Sequence, residues 1–425
     1  MNLPRRVAIV GGNRIPFARS NGAYATASNQ DMLTATLEGL IERFNLHGLR
    51  IGEVAAGAVL KHSRDFNLTR ECVLGSRLSP QTPAYDVQQA CGTGLEAALL
   101  VANKIALGQI DCGIAGGVDT TSDAPIGVNE DLRRILLQLN RSKTGADKLK
   151  ALLRLRPHNL KPELPRNGER RTGLSMGQHC ELMAQTWNVG RDTQDKLALE
   201  SHVKMAAAYA EGWQNDLLTP YMGLTRDHNL RPDLTLDTLA SLKPVFERGP
   251  KGTLTAGNST PLTDGASLVL LASEEWAKER GLPVLAFLRD GEAAAVDFAN
   301  GAEGLLMAPV YAVPRLLARN DLRLQDFDYY EIHEAFAAQV LCTLKAWEDE
   351  DYCKTRLGLD CALGSIDRGK LNVKGSSLAA GHPFAATGAR IVANLAKLLA
   401  VAGQGRGLIS ICAAGGQGVT AIIER

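Results

Sequence analysis

Ala84-Tyr85-Asp86-Val87-Gln88-Gln89-Ala90-Cys91-Gly92-Thr93-Gly94-Leu95-Glu96-Ala97-Ala98 is the stretch from which the rest of the chain is read. It starts as a short strand, turns through small residues and continues as a helix, because Leu95, Ala98, Leu99, Ala102, Ile105 and Ala106 recur at steps of three and four. Cys91 then stands at the mouth of that helix. Backbone N–H groups without intrahelical partners and the positive end of the dipole surround it, a setting that lowers a thiol pKa. Gly92 and Gly94 allow a sharp turn and a close approach of backbone to a ligand. Three readings compete on this stretch alone. It could hold a buried structural cysteine, as most free cysteines are, or a reactive thiol. It could also be a dinucleotide loop, because Gly92-Thr93-Gly94-Leu95-Glu96-Ala97 fits G-x-G-x-x-A.

Composition narrows the class. A chain of 425 residues, 45% apolar and 22% charged, is expected to be soluble and globular, with room for two or three domains. A net charge of +1 provides no global field toward nucleic acid or membranes. No uninterrupted apolar run of about 18 residues is present. Met1 to Arg6 lead straight into strand-like Val7-Ala8-Ile9-Val10 without a signal-peptide core. The eight cysteines are scattered, with no C-x-x-C pair and no zinc-like spacing to histidine. These features predict a cytoplasmic protein with reduced thiols, no metal and no nucleic-acid partner.

The pattern predicts a buried strand at 7–10, a helix at 30–43, a strand at 54–60, a helix at 67–77 and an apolar strand near 113–117. Gly11-Gly12 does not make a nucleotide loop, because the third glycine is missing and Pro16 interrupts any helix start. Composition shifts after Asp119. Residues 131–171 carry twelve Lys/Arg against four Asp/Glu, a local +8. Leu132, Ile135, Leu136 and Leu139 make one amphipathic stripe there, and Leu149, Leu152, Leu153 and Leu155 a shorter one. Helical patterns resume at 176–187 and 192–211, before an irregular run at 219–233. The small-residue style returns at Thr255-Ala256-Gly257-Asn258-Ser259-Thr260-Pro261, followed by a strand-like Ser267 to Leu271. The expected domains are 1–119 plus 251–275 as one half, 120–250 as an inserted loop domain, and 276–425 as a second half. Internal repetition supports two halves. Thr93-Gly94 opens a helix leading to a strand with Gly116-Gly117, and Thr387-Gly388 opens one leading to Gly415-Gly416. The offsets are 294 and 299 residues, as if five positions had been inserted between the copies. Strands alternating with helices in each half predict an α/β fold with sheets covered on both faces.

Three further stretches set polar groups among small and apolar residues. Tyr329 to Gln339 places His333 at a strand end, Leu378 to Arg390 places His382 just before the second Thr-Gly helix, and Ser410 to Gly418 places Cys412 at a strand end. Two thiols and two imidazoles beside glycine-rich turns make the kit for covalent acyl chemistry: nucleophile, base, acid and backbone donors. With these motifs in order, the chain resembles the thiolase family (acyl-CoA:acetyl-CoA C-acyltransferases) from Val7 to Arg425. The motifs are the Cys91 turn, TAGNSTPLTDGA at 255–266, HEAFAAQ at 333–339, GHPFAATGAR at 381–390 and CAAGGQG at 412–418. His333 in the HEAF motif, where many thiolases have Asn, resembles the β-subunit branch of fatty-acid β-oxidation complexes.

The resemblance implies a five-layered αβαβα core of two similar halves with a loop domain inserted in the first. It implies Cys91 as the acylated nucleophile and His382 as the base that takes its proton. It also implies Cys412 as the acid/base toward the acetyl-CoA enolate, and His333 as holder of a water that, with His382, binds the thioester oxygen. The N–H groups of Cys91 and Ala414 would form a second oxyanion hole, provided Ala414 keeps an unstrained φ. Asn258, Ser259, Thr260, Met176 and Phe336 would line the substrate, and Arg170 and Arg171 would meet coenzyme A. CoA and acyl-CoA enter as substrates, with no bound cofactor. The expected activity is 3-ketoacyl-CoA thiolysis. The alternatives are the condensing, acetoacetyl-CoA-forming direction of the same site, a decarboxylating ketoacyl synthase, which would want histidine in place of Cys412, and a non-catalytic CoA-binding relative. The dinucleotide reading falls, because its strand is polar (Asp86, Gln88, Gln89) and lies deep in the chain. A homodimer or tetramer is expected, and association with a hydratase/dehydrogenase α-subunit. Basic residues of 131–171 (Arg133, Arg134, Lys148, Lys150, Arg154, Arg156) would serve that partner or a peripheral membrane contact.

Overall fold

The computed structural model describes residues 4–425. Nine strands carry its central hydrogen-bonded path: β1 (Val7–Arg14), β2 (Glu53–Ala56), β3 (Ala84–Asp86), β4 (Cys112–Asp119), β5 (Thr263–Ser273), β6 (Ala286–Ala295), β7 (Tyr329–Ile332), β8 (Arg406–Ala413) and β9 (Gln417–Glu424). Their spatial order is β3-β2-β4-β5-β1-β6-β9-β8-β7. The path is two sheets joined edge to edge, for β1 and β6 share only the pairs Val7 to Ile9 with Leu288 to Ala286. Outward from that seam the halves match. β1–β5 and β5–β4 are antiparallel and β4–β2 is parallel. On the other side β6–β9 and β9–β8 are antiparallel and β8–β7 is parallel.

The apolar side chains divide into layers. One cluster joins the outer face of the first sheet (Val10, Val54, Ile114, Leu268) to the helix Asn29–Phe44. A second joins the inner faces of both sheets (Ile9, Ala115, Val269; Ile409, Ile411, Val419) to the two Thr-Gly helices, Thr93–Ala106 and Thr387–Ala402. A third joins the outer face of the second sheet (Tyr330, Ile332, Leu408, Ile422) to the helices Ala308–Arg319 and Ala337–Glu348. Helix, sheet, paired helices, sheet, helix gives the five layers that the resemblance implied. β1, β4 and β5 are buried along their whole length, which is why they read as continuous apolar or small-residue runs. The stretch Phe384–Ala402 is long and apolar enough to cross a bilayer by length and composition, yet it is 78% buried as the central helix of the core.

The two Thr-Gly helices cross where each begins. A Cβ on Gly388 would stand 2.2 Å from the Leu95 backbone N, and one on Gly94 would stand 2.6 Å from the Ala385 carbonyl. Glycine is required at both because the obstacle is main chain. The repeat is tighter than the glycine pairs suggested. Helix start (Thr93, Thr387), strand start (Cys112, Arg406) and strand end (Asp119, Ala413) all keep the offset 294. Gly116-Gly117 lies inside β4, whereas Gly415-Gly416 forms the turn after β8, so the two pairs are not equivalent and no five-residue insertion separates the copies.

Two local expectations shift. The strand predicted at 54–60 stops at Ala56, because the N–H groups of Val59 and Leu60 turn to the Asp119 carboxylate at 2.9 and 2.8 Å. The helix predicted at 67–77 ends at Leu74, capped by Gly75. In the inserted segment, the helices Glu130–Arg141 and Gly145–Leu152 are capped by Asn129 and Thr144, but each buries a single residue, Ile135 and Ala151. Their stripes pack inward only in part: Leu132, Leu139 and Leu155 are half-buried beside buried Ile135. Leu136, Leu137, Leu149, Leu152, Leu153, Leu160 and Leu164 all remain exposed.

Candidate active site

The turn before the helix Thr93–Ala106 is tied by its own side chain: Thr93 Oγ1 donates to the Ala90 carbonyl at 2.7 Å and accepts from the Gln89 N–H at 2.8 Å. This ring bends the backbone sharply, and Ala90 takes a φ of 47°, a left-handed conformation that is uncommon for a non-glycine residue. The strained residue immediately precedes Cys91 and aims its side chain into the interior, where it is 8% exposed.

His382 arrives from the second half, on the loop before the helix Thr387–Ala402. Its backbone N–H donates to Thr263 Oγ1 at 2.8 Å, and three residues later the loop is anchored by the Ala385 N–H on Asp119 at 2.8 Å. The imidazole Nδ1 lies 2.6 Å from Thr387 Oγ1 and Nε2 lies 3.0 Å from Cys91 Sγ. The thiol hydrogen of Cys91 needs an acceptor, and the tautomer that offers it the Nε2 lone pair has Nδ1–H donating to Thr387 Oγ1.

The expectation of a lowered thiol pKa is overturned. Burial pushes the Cys91 thiol up to about 12; hydrogen bonds from the backbone N–H groups of Ala414 and Cys91 offset this only in part, and the nearby Asp119 charge adds to it. Burial likewise takes His382 down to about 3, with the Arg390 charge pushing the same way. The pair rests as neutral thiol and neutral imidazole. The helix end does not win because removing a thiolate from water costs more than a partial dipole charge returns. The same two N–H groups meet the sulfur itself. Ala414 keeps a negative φ, the left-handed turn falling on Gly415 and Gly416 at 80° and 70°.

His333 follows β7, its N–H on the Ser410 carbonyl at 2.9 Å. Its Nδ1 lies 2.8 Å from Ser377 Oγ, while Nε2 is buried without a partner among the described residues. Its ring centroid is 4.2 Å from that of His382, and burial, His382 and Arg390 together hold its pKa well below the usual range. Ligand-type atoms of Cys91, His333 and His382 all lie within 4.8 Å of one another, near enough to share a metal ion. Because Sγ and the His382 Nε2 already engage each other, the arrangement favours proton transfer between them. Cys412, near the end of β8 and 1% exposed, has its thiol raised well above the ordinary value by burial and by Cys91. The fold therefore brings Cys91, His333, His382 and Cys412 to one place from four motifs.

The remaining candidates divide. Asn258 has spent its amide: Oδ1 accepts from the Thr255 N–H at 2.7 Å and Nδ2 donates to Asp195 at 2.9 Å. It shapes the loop rather than facing a ligand. Ser259 Oγ is buried and unpaired among the described residues, and Thr260 Oγ1 donates to the Ala335 carbonyl at 3.0 Å. Phe336 packs edge-on to Phe246 with ring centroids 5.9 Å apart, and Met176 packs on the same apolar cluster. Arg170 and Arg171 are exposed and line a surface hollow of about 490 Å³. Sequence reasoning missed Thr387, Ser377, Arg390, Thr263 and Asp119. Thr263, Thr387 and Arg390 stood inside quoted motifs, but nothing in the pattern tied them to an imidazole.

The family model described as "Thiolase, N-terminal domain" matches residues 7–275, and "Thiolase, C-terminal domain" matches residues 282–425. The chain is 41% identical to the 3-ketoacyl-CoA thiolase of Yersinia pestis (strain Pestoides F) over 425 residues, covering 99% of this chain and 97% of that one. Identity and coverage are the same for the 3-ketoacyl-CoA thiolase of Yersinia pseudotuberculosis (serotype O:1b, strain IP 31758). Among solved structures, human mitochondrial 3-ketoacyl-CoA thiolase superposes with a TM-score of 0.82 at 27% identity, with full coverage of both chains. The Bacillus anthracis acetyl-CoA acetyltransferase gives 0.81 at 28%, again with full coverage. The human enzyme in complex with CoA gives 0.81 at 26%, covering 99% of this chain and 98% of that one.

Proposed function

The chain belongs to the thiolase family, an acyltransferase family, and from that membership we propose that it is a 3-ketoacyl-CoA thiolase working through a Cys91 acyl-enzyme. The observation that carries the reading is the 3.0 Å contact between Cys91 Sγ and His382 Nε2, made by residues 291 positions apart. As Sγ attacks the 3-keto carbon, Nε2 takes the thiol proton. The oxyanion forms against the Cys91 and Ala414 N–H groups, each such donor contributing about 3–4 kcal/mol to the transition state. The C2–C3 bond then breaks, the acyl group stays on Sγ, and the electron pair leaves as the enolate of acetyl-CoA. Its thioester oxygen is held by His382, now carrying the proton on Nε2, and by His333, directly or through a water. Cys412 protonates the enolate carbon. In the second half, Cys412 takes the proton of an incoming CoA thiol, which attacks the acyl-thioester and expels Cys91 Sγ, and His382 returns its proton to that sulfur. Two thiols are needed because one is acylated while the other moves a proton.

CoA and acyl-CoA are substrates in this reading, as the CoA complex of the human relative suggests, and Ser259 is the polar group of its loop left to meet them. The three-residue edge strand β3, which leads into the Cys91 turn, ends the sheet and suits pairing with a second copy as a homodimer. The exposed leucines of 126–164, set among basic residues, suit a protein partner such as an α-subunit or an anionic surface. Incubating the protein with an acyl-CoA in the absence of free CoA tests the reading. One acyl mass should appear on the Cys91 peptide and vanish with turnover in Cys91→Ala. An adduct that persists in that variant would overturn it.

A further inference from the structure

Behind the two imidazoles lies a buried row of hydrogen bonds with a direction. Arg390, on the central helix Thr387–Ala402, is 5% exposed, and its Nη2 donates to Ser377 Oγ at 3.0 Å and to Ser376 Oγ at 3.2 Å. A guanidinium has donors only, so Ser377 Oγ must accept from it. On its other side Ser377 Oγ lies 2.8 Å from His333 Nδ1. A hydroxyl carries a single hydrogen. Were that proton sent elsewhere, with Nδ1–H donating to Ser377, the hydroxyl would need a further acceptor, and Ser377 Oγ has none among the described residues. The His333 Nε2 lone pair would then face the site unpaired. If the Ser377 hydrogen goes to Nδ1 instead, every hydrogen is placed, and Nε2 carries an N–H into the space beside Cys91 and His382.

Resting on the reading of His333 as a donor to the substrate's thioester oxygen, we propose that Ser377 and Arg390 are positioning residues that lock His333 as its Nε2–H tautomer. The lock matters because the two tautomers have opposite effects on catalysis. An Nε2–H stabilises charge developing on the oxygen, and an Nε2 lone pair repels it. A third state, the imidazolium, is suppressed by burial and by the charge of Arg390 itself. Burial opposes the Arg390 charge, and two buried acids, Glu331 and Glu334, favour it, although burial raises the pKa of both. Glu331 accepts from Asn394 at 2.8 Å, and Glu334 accepts from Ser201 and Asn372, both at 2.7 Å. The cation can therefore stay in place behind the ring.

Two measurements test the lock. In the first, Ser377→Ala is made in the unaltered chain and in His333→Asn, because an asparagine amide offers an N–H whatever its neighbour does. The expected result is a fall in kcat for thiolysis of about tenfold or more in the unaltered background, toward the 10²–10³ that loss of a whole donor costs. KM should hold, and Ser377→Ala should change kcat by less than about twofold in His333→Asn. Equal losses in both backgrounds would make Ser377 merely structural, and no loss in the unaltered background would make it idle; either overturns the proposal. The second measurement needs no change at Ser377. In nitrogen-15 spectra of histidine-labelled enzyme, the ring signals absent from His333→Asn should show a protonated Nε2 and a bare Nδ1. A proton on Nδ1 refutes the lock. If the unaltered chain cleaves no 3-ketoacyl-CoA, the functional reading fails, and the spectra still decide the tautomer.

Discussion

Cys91 and Cys412 are both buried thiols with raised pKa values, and what separates them is the neighbour each has. Cys91 has His382 Nε2 at 3.0 Å, and no such base is hydrogen-bonded to Cys412 among the described residues. Cys412→Ala should therefore still take up one acyl group from an acyl-CoA, yet lose steady-state turnover by about 10²–10⁴-fold, because the enolate no longer meets an acid. Mass spectrometry of the Cys91 peptide beside a turnover assay checks this, and loss of acylation itself would refute the division. The neutral resting pair makes a second prediction, about pH. His382 is lowered to about 3 and gains a proton only in acid; Cys91 is raised to about 12 and loses one only in strong alkali. Between those limits neither partner changes charge, so the pair imposes no pH dependence on acylation at neutral pH. Rapid-quench acylation should be flat from about pH 6 to pH 9 and slower in heavy water, since the proton moves as the bond forms. A rate that rises through a titration near pH 7, with no solvent isotope effect, would indicate a preformed thiolate.

The element that sets the distance between nucleophile and base is the crossing of the two Thr-Gly helices. Gly388→Ala would press a methyl group into the Leu95 backbone, which cannot move without shifting the Cys91 turn. It should cost about 1–3 kcal/mol of stability and disproportionately more acylation rate. Gly94→Ala, aimed at the Ala385 carbonyl in the His382 loop, should behave alike. Thermal denaturation and Cys91 acylation measured on both variants check this, and full acylation in a destabilised Gly388→Ala would disprove the link. Much of this geometry was legible beforehand. Thr-Gly twice, with cysteine before one copy and histidine before the other, is a pattern of residue types at turns, and turns are local. What stayed hidden depends on distant packing. The pKa of Cys91 hinged on how deeply the turn is covered, which no helix-end rule contains. Arg390 looked like one polar residue in an apolar helix, and its meeting with Ser377 needed the start of the short helix Ser377–Ala380 folded against it. The Gly-Gly pairs misled because identical dipeptides serve a strand interior in one half and a turn in the other.

At the scale of the whole molecule, the inserted segment carries a face that the core does not use. Among its basic residues, Arg133 and Arg134 pair with Glu130, and Arg154 reaches Gln138, while Lys148 and Lys150 have no such side-chain partner among the described residues. Leu149 and Leu153 are 58% and 67% exposed beside them. Replacing Lys148 and Lys150 with Glu, or Leu149 and Leu153 with Ser, should weaken salt-sensitive binding to an α-subunit or to anionic vesicles, each lysine contributing about 1 kcal/mol at such a surface. Thiolysis of acetoacetyl-CoA should be unchanged. Neutralising Arg170 and Arg171 should do the reverse, raising the KM for CoA and leaving that binding intact. If the lysine pair alters only CoA affinity, the whole insert is a nucleotide clamp.

The offset of 294 between the halves has a consequence in time as well as in space. Cys91 is made early and His382 follows 291 residues later. At about 5–20 residues per second the ribosome needs about 15–60 s to span that gap. Throughout that interval the emerging chain holds a nucleophile whose base has not yet been made. Synthesis thus delays the chemistry until its final motifs have been translated and the second half has docked. A chain released before residue 382 lacks the base that takes the Cys91 proton, and should show no turnover in a thiolysis assay.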